Sequence, residues 1–477
     1  MIRKSSTYMA AFALPGILGL LNFAFYTRMM TSSEYAVYSI SVSASYFVSS
    51  IFYSWIRIAL ARSQAEDPEA ELMQASVLGL ICITIVLCPT AATAVAIFAP
   101  EYTAIMTGIF AVIVCQAMFD LKQETLRSRG NAGSFMRYNL LRSILGSLLT
   151  VFIVMRYKSG IFLVYALALS FLVAALMSRG KKRIRFRYSV SDVQILKEFL
   201  FYGLPLAISG IVFTGNPTLS KIASGRVIGA EAVGHFSAGL DLVSQLAVVV
   251  SSAVTSVVAP MAFKAYSTNG AFGAKTELRF GVELFLAVLI PALVGLSIVS
   301  TSLSNLIMGD RYGAEVANLL PVLSLAIGIN VFSQYYLHLG FQIARKPYRQ
   351  IACGFASLSV NASLITFLGT SYGVYGCAIS FLAGEIVGLL AAFALLQSVF
   401  IMPLPAVKIA KIGLSATGMT MACEFVGNHF YSVSYTNLIS VVCSGVIVYV
   451  LFATILNVCN VRMALLVIFR NVFSFSR

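Results

Sequence analysis

Along most of the chain, apolar residues run on for about 20 positions before a charged or turn-forming cluster interrupts them, the length a helix needs to cross the hydrocarbon of a bilayer. Fourteen segments show this pattern. They lie at approximately 8–28, 35–60, 72–98, 102–120, 137–156 and 160–178, then 199–221, 231–258, 281–304, 316–342, 349–370, 373–398, 404–427 and 435–459. The loops between them are short, so no extramembrane segment is long enough to bury its own core. The pattern predicts an all-α polytopic membrane protein.

In two spans the polar residues form a stripe. Span 35–60 places Ser39, Ser43, Tyr46, Ser50, Ser54 and Arg57 at helical three-to-four spacing, on one face. Span 231–258 does the same with Ser237, Asp241, Ser244, Gln245, Ser252 and Thr255. Lipid solvates such faces poorly, so both are expected to point into the bundle. Close packing through small hydroxyl residues accounts for the serines. The ionisable Arg57 and Asp241 point instead to a cavity or pathway.

The cavity candidates are Arg28, Arg57, Lys221, Asn216, Ser50, Ser252 and Gln245. Arg28 and Lys221 lie at outer span ends, and Arg142 just inside the start of a span, where snorkelling to headgroups is the alternative reading. Convergence of several on one cavity would make a site for phosphate or another anion. Two intramembrane carboxylates are candidates for binding a coupling proton or sodium ion. Asp241 lies roughly 14 Å deep at 1.5 Å per residue, and Glu385, in Gly384-Glu385-Ile386-Val387-Gly388, is near the midplane. Either equally fits a carboxylate that only holds the bundle together. Thr214-Gly215-Asn216-Pro217 predicts a break in its helix.

Charge sets the orientation. Arg179–Arg187 is densely basic, and a linker at 179–198 carrying it is expected to stay in the cytoplasm. Both termini then face the cytoplasm, and only Arg28, Arg156, Lys158, Lys221, Arg226 and Arg311 of the 33 basic residues fall outside. The net charge of +15 is thereby explained by loops facing anionic headgroups, with no nucleic acid partner. Charged residues make up 11% of the chain against roughly 25% in a soluble domain, which excludes a water-soluble fold. The eight cysteines all fall in apolar spans without a CxxC pair and read as small, buried, reduced side chains. Arg3 and Lys4 before the first apolar run suggest an uncleaved first helix. With no nucleotide-binding loop, HExxH pair or nucleophile beside a base, no cofactor, metal or catalytic group is expected, and the Asn361-Ala362-Ser363 sequon lies within a span.

The chain also repeats. Phe12-Ala13-Leu14-Pro15 and Tyr202-Gly203-Leu204-Pro205 open equivalent spans, each followed by a turn with a glutamate, at Glu34 and Glu231. Gln116, Asp120, Glu124 and Arg127 share the spacing of Gln334, His338, Gln342 and Arg345. Two pseudo-symmetric six-helix lobes are expected, 1–178 and 199–400, followed by spans 13 and 14 and a cytoplasmic tail at 401–477.

Several of these stretches carry a family resemblance: Leu14-Pro15, Ser33-Glu34-Tyr35-Ala36-Val37-Tyr38, Gly229-Ala230-Glu231-Ala232-Val233-Gly234, Ala344-Arg345-Lys346-Pro347 and Tyr372-Gly373-Val374-Tyr375-Gly376-Cys377-Ala378. The chain resembles the Wzx-type polysaccharide flippases of the multidrug/oligosaccharidyl-lipid/polysaccharide exporter superfamily over residues 1–400, departing at Ala36, where the turn usually carries glycine. The resemblance implies a V-shaped bundle in the bacterial inner membrane. It would move a polyprenyl-diphosphate-linked oligosaccharide outward by alternating access, for surface polysaccharides such as O-antigen or exopolysaccharide. The implied partners are membrane lipid, the lipid-linked substrate, and a polysaccharide polymerase with other assembly proteins; the implied state is monomeric. The family's substrate-contacting residues are cavity cations, here matched to Arg28, Arg57 and Lys221. An ion-coupled organic-cation antiporter of the same superfamily, or a polytopic polysaccharide-processing enzyme, are the alternatives.

Overall fold

The computed structural model describes residues 2–66, 73–98, 100–128, 131–177, 190–309, 312–344, 346, 348–429 and 435–460. The basic stretch 179–187 and the tail from residue 461 lie outside the described residues. All regular structure within them is helical, as the apolar runs predict. In order the helices are α1 (Ile2–Met29), α2 (Ser32–Phe52), α3 (Ser54–Glu66), α4 (Met73–Phe98), α5 (Thr103–Ser128), α6 (Ala132–Tyr157), α7 (Gly160–Met177) and α8 (Val190–Ile228). Then follow α9 (Ala230–Ile298), α10 (Ser300–Leu303), α11 (Gly313–Phe332), α12 (His338–Ile343), α13 (Tyr348–Gln397), α14 (Ala406–His429) and α15 (Tyr435–Ile455). Eight helices among the described residues are long and apolar enough to cross a membrane. The protein is an all-α polytopic integral membrane protein.

Two of these helices are hairpins. A straight rod of the 69 residues of α9 would extend about 100 Å at 1.5 Å per residue. Instead it turns at Gly270 (φ 62°, ψ −153°), and Val258 on one limb packs against Gly281 on the other. α13 turns likewise at Gly373 (φ 57°, ψ −133°), with the Leu368 carbonyl against Gly376. Backbone angles of this kind are nearly confined to glycine. With α9 and α13 opened at these glycines, every predicted span has its helix.

Three local expectations need correction. Span 35–60 is not one helix: it breaks at Tyr53 (φ −120°, ψ −20°), whose hydroxyl pairs with Thr84 Oγ1 at 2.9 Å. Conversely, α8 runs unbroken through Thr214-Gly215-Asn216-Pro217. A proline withdraws one donor, and neighbouring helices can hold the rod together around it; here Thr218 Oγ1 donates to the Ser43 carbonyl of α2 at 3.3 Å. The cysteines are all free, but Cys82 and Cys443 are exposed rather than buried, because their spans turn those faces outward.

The chain forms two compact units. The first comprises residues 1–238 and 350–381. In it Tyr53 at the break and Trp55, Ile56 and Leu60 of α3 pack with Leu80 of α4, Ile109 and Ile113 of α5 and Phe199 of α8. A second core joins α5, α6 and α7, where Phe119 stacks on Tyr138 with centroids 4.3 Å apart. The Glu34 carboxylate at the start of α2 accepts the Gly160 N–H at 2.6 Å and so caps α7. The second unit comprises residues 239–349 and 382–477. There α14 and α15 close on the second limb of α9 through Met419, Cys423 and Val441, against Val294 and Ile298. The buried Glu283 carboxylate receives Lys408 Nζ at the start of α14, and the Cys459 N–H, beyond α15, at 2.7 Å.

Candidate functional site

The break at Tyr53 shapes a cavity of about 270 Å³ in the first unit. Its walls are α2 and α3 (Tyr46, Ser49, Ser50, Tyr53, Ser54, Ile56, Arg57), α4 (Leu80) and α5 (Gln116, Ala117, Asp120, Leu121). Ser50 Oγ donates to the Phe47 carbonyl at 2.7 Å, and Ser54 Oγ to the Ser50 carbonyl. Ser50 thus places its proton within α2, while Ser54, the first residue of α3, places its own across the break at Tyr53.

Arg57 is the cation of the cavity. Its side chain is 44% exposed, and Nη1 lies 3.7 Å from Asp120 Oδ2, a side chain 21% exposed. That separation is a charge contact too long for a hydrogen bond. Gln116 Nε2 holds the same carboxylate oxygen at 3.5 Å, while Gln116 Oε1 is buried with no partner among the described residues. Arg142 of α6, its guanidinium 5.1 Å from the Phe171 ring centre, is near enough to act electrostatically on Asp120 and Tyr46. Arg57 and Ser50, both predicted, therefore meet in one cavity.

Lys221 sits elsewhere. Only 2% exposed, it donates from Nζ to Ser39 Oγ and Ser43 Oγ, both at 2.9 Å. Ser39 and Ser43 stand on α2, before the break at Tyr53, whereas Arg57 stands on α3 beyond it, and Lys221 is not among the residues that line the cavity. Asn216, one turn before Lys221, donates to Ser357 Oγ at 2.9 Å and accepts from Asn361 Nδ2 at 2.7 Å. Asn361 also donates to Ser220 Oγ. These contacts form a buried polar layer tying α2, α8 and the first limb of α13. Asn361, read from sequence only as an idle sequon, is 1% exposed and central to that layer.

Arg28 is exposed in the last turn of α1. In the second unit, Asp241, Gln245 and Ser252 are half-buried along α9, and Ser252 Oγ donates to the Val249 carbonyl at 3.2 Å. Glu385 is buried on the second limb of α13. Sequence reasoning singled out Asp241 and Glu385 and passed over Asp120 and Glu283, although each is equally a carboxylate within an apolar run. The sequence marks Asp120 by its repeat position, shared with His338, and its place at the end of span 102–120 is the further signal it carries.

The polysaccharide biosynthesis protein family matches residues 2–266. No curated protein matches the sequence. Among solved structures, the chain resembles the lipid II flippase MurJ in an inward closed conformation at 13% identity and a TM-score of 0.74, covering 94% of this chain and 98% of that one. An inward-facing multidrug resistance transporter of the MATE family aligns at 16% identity with a TM-score of 0.63, covering 85% and 99%. A superfamily transporter from Pyrococcus furiosus, described as having a binding pocket of reversed polarity, aligns at 16% identity with a TM-score of 0.56, covering 86% and 96%. At these identities the likeness shows the fold.

Proposed function

This chain belongs to the polysaccharide biosynthesis protein family, and on that premise we propose that it is a flippase for a polyprenyl-diphosphate-linked oligosaccharide. It moves its cargo from the inner to the outer leaflet of a bacterial cytoplasmic membrane by alternating access. Both termini and the 179–198 linker face the cytoplasm, and two six-helix lobes, 1–178 and 199–400, carry the movement. The observation that carries this reading is Arg57, a half-exposed guanidinium in a hydroxyl-walled cavity at the end of the span-2 stripe. In the proposed orientation that end is cytoplasmic, where the diphosphate first arrives. A guanidinium fork suits two phosphate oxygens better than an ammonium does. Outward movement of two negative charges down 100 mV would gain about 4.6 kcal/mol, at 2.3 per charge. The remaining barrier is desolvation of sugars and phosphate, which a wet cationic cavity relieves.

Lys221, Asn216 and Arg28 serve further along the path in this reading, with Ser252 and Gln245 lining it, and Asp241 or Glu385 carries any coupling ion. The MATE-like fold favours one second reading, an organic-cation antiporter, in which Asp120 would be the ligand-binding group. Complementation of a flippase-null strain separates the two. Arg57→Ala should abolish surface polysaccharide at unchanged membrane abundance, and Arg57→Lys should retain part of it. Full complementation by Arg57→Ala removes the residue from the mechanism. Organic-cation efflux that is lost in Asp120→Asn favours the antiporter.

A further inference from the structure

We propose that Asp120 is a resident counter-ion for Arg57, an internal anion that the ligand's diphosphate displaces on binding and that reclaims the arginine on release. The proposal rests on the reading of Arg57 as the phosphate-binding group. A guanidinium inside an apolar bundle needs a compensating charge while the cavity is empty. Asp120 supplies it from another helix, α5, and does so loosely. At 3.7 Å the pair makes no close hydrogen bond, and Arg57 stays nearly half exposed. Its fork is therefore steered but not filled. A diphosphate fills it with two oxygens, which a single distant carboxylate oxygen does not.

The displaced carboxylate is not stranded. Gln116 Nε2 stays at 3.5 Å from it, so the carboxylate keeps a donor when Arg57 turns to the ligand. The unpartnered Gln116 Oε1 provides an acceptor for an N–H of Arg57 or a ligand hydroxyl as the pair opens. Competition also limits affinity. A site that bound a diphosphate with full strength would hold its cargo, whereas one with a built-in rival anion binds moderately and lets go. The cavity thereby selects a dianion able to outbid a carboxylate.

The test uses the purified full chain in detergent and inorganic pyrophosphate as probe. Trp55, the single tryptophan, lies two residues from Arg57 in α3 and reports binding by its fluorescence. Asp120→Asn should bind pyrophosphate roughly tenfold more tightly than the unaltered protein, within the range of ordinary coupling between competing ligands. Asp120→Glu, whose longer side chain closes the gap to Arg57, should bind it more weakly. Arg57→Ala should bind none, alone or combined with Asp120→Asn. Phosphatidylglycerol, a monoanion, should not displace pyrophosphate at equal concentration; displacement would reassign the site to ordinary headgroups and overturn the proposal. If Arg57→Ala loses binding while neither Asp120 variant shifts it in the stated direction, the counter-ion role is wrong and the flippase reading stands. If Arg57→Ala binds like the unaltered protein, the phosphate site itself is refuted. Thermal unfolding of each variant shows that the comparison is between folded proteins, and the two Asp120 variants shift affinity in opposite directions, which general destabilisation does not.

Discussion

Glu34 and Gly160 offer a sharp perturbation, because one contact joins the first turn of α2 to the first residue of α7. The Glu34 carboxylate accepts the Gly160 N–H at 2.6 Å, and a Cβ built on Gly160 would collide with the Glu34 carbonyl oxygen and lie 3.1 Å from the Tyr38 nitrogen. Both obstacles are backbone of α2, with no flexible end to swing aside. Glu34→Ala removes a charge-assisted hydrogen bond, about 1.5–3 kcal/mol, and a favourable charge at a helix N-terminus, about 0.3–1 kcal/mol. Partial exposure places the expected loss near the lower end, about 2 kcal/mol. Glu34→Gln keeps an acceptor and should cost about half as much. Gly160→Ala adds overpacking of about 1–3 kcal/mol and pulls the N–H off the carboxylate, so about 3 kcal/mol is expected. Because the two changes break one contact, the double variant should lose less than the sum. Unfolding in mixed micelles followed by circular dichroism measures all four. Gly160→Ala within about 0.5 kcal/mol of the unaltered protein, the range of an inconsequential substitution, would refute the close approach. Strict additivity would show that Glu34 and Gly160 do not act through each other.

Three other outcomes are expected. Glu283→Ala should unpair the Cys459 N–H and Lys408, at a cost of about 2–4 kcal/mol, and should speed amide exchange in α14 and α15 more than in α5; uniform exchange would deny the clamp. Gly270→Ala and Gly373→Ala should each cost about 1–3 kcal/mol through their backbone angles, measured by the same micelle unfolding, whereas Gly413→Ala, whose added Cβ meets nothing, should be neutral or mildly stabilising. In a cysteine-free background, Ser50→Cys should react with a water-soluble thiol reagent and Ser39→Cys, in the buried layer, should not; equal rates would remove the distinction between cavity and layer.

The spans and the class of the protein were legible in the sequence, because the demand of lipid for apolar surface acts on every residue of a span independently of its neighbours in space. The polar positions of α2 were legible for the same reason, since a helix fixes which of its own residues share a face, but the break at Tyr53 that sets Ser54 and Arg57 on a second helix was not. The turns at Gly270 and Gly373 could be placed from loops and repeats, but their backbone angles could not. What the tertiary structure decided is how the helices rotate against one another, and that sets every partner. Lys221 and Arg57 look alike as cations at span ends. Packing buries Lys221 against Ser39 and Ser43, about 180 residues away in sequence, and leaves Arg57 half open beside Asp120. Asn361 became structural, and Pro217 harmless, only once α2, α8 and α13 stood side by side. Hydropathy is a property of one helix; a counter-ion is a property of two, and only their contact reveals it.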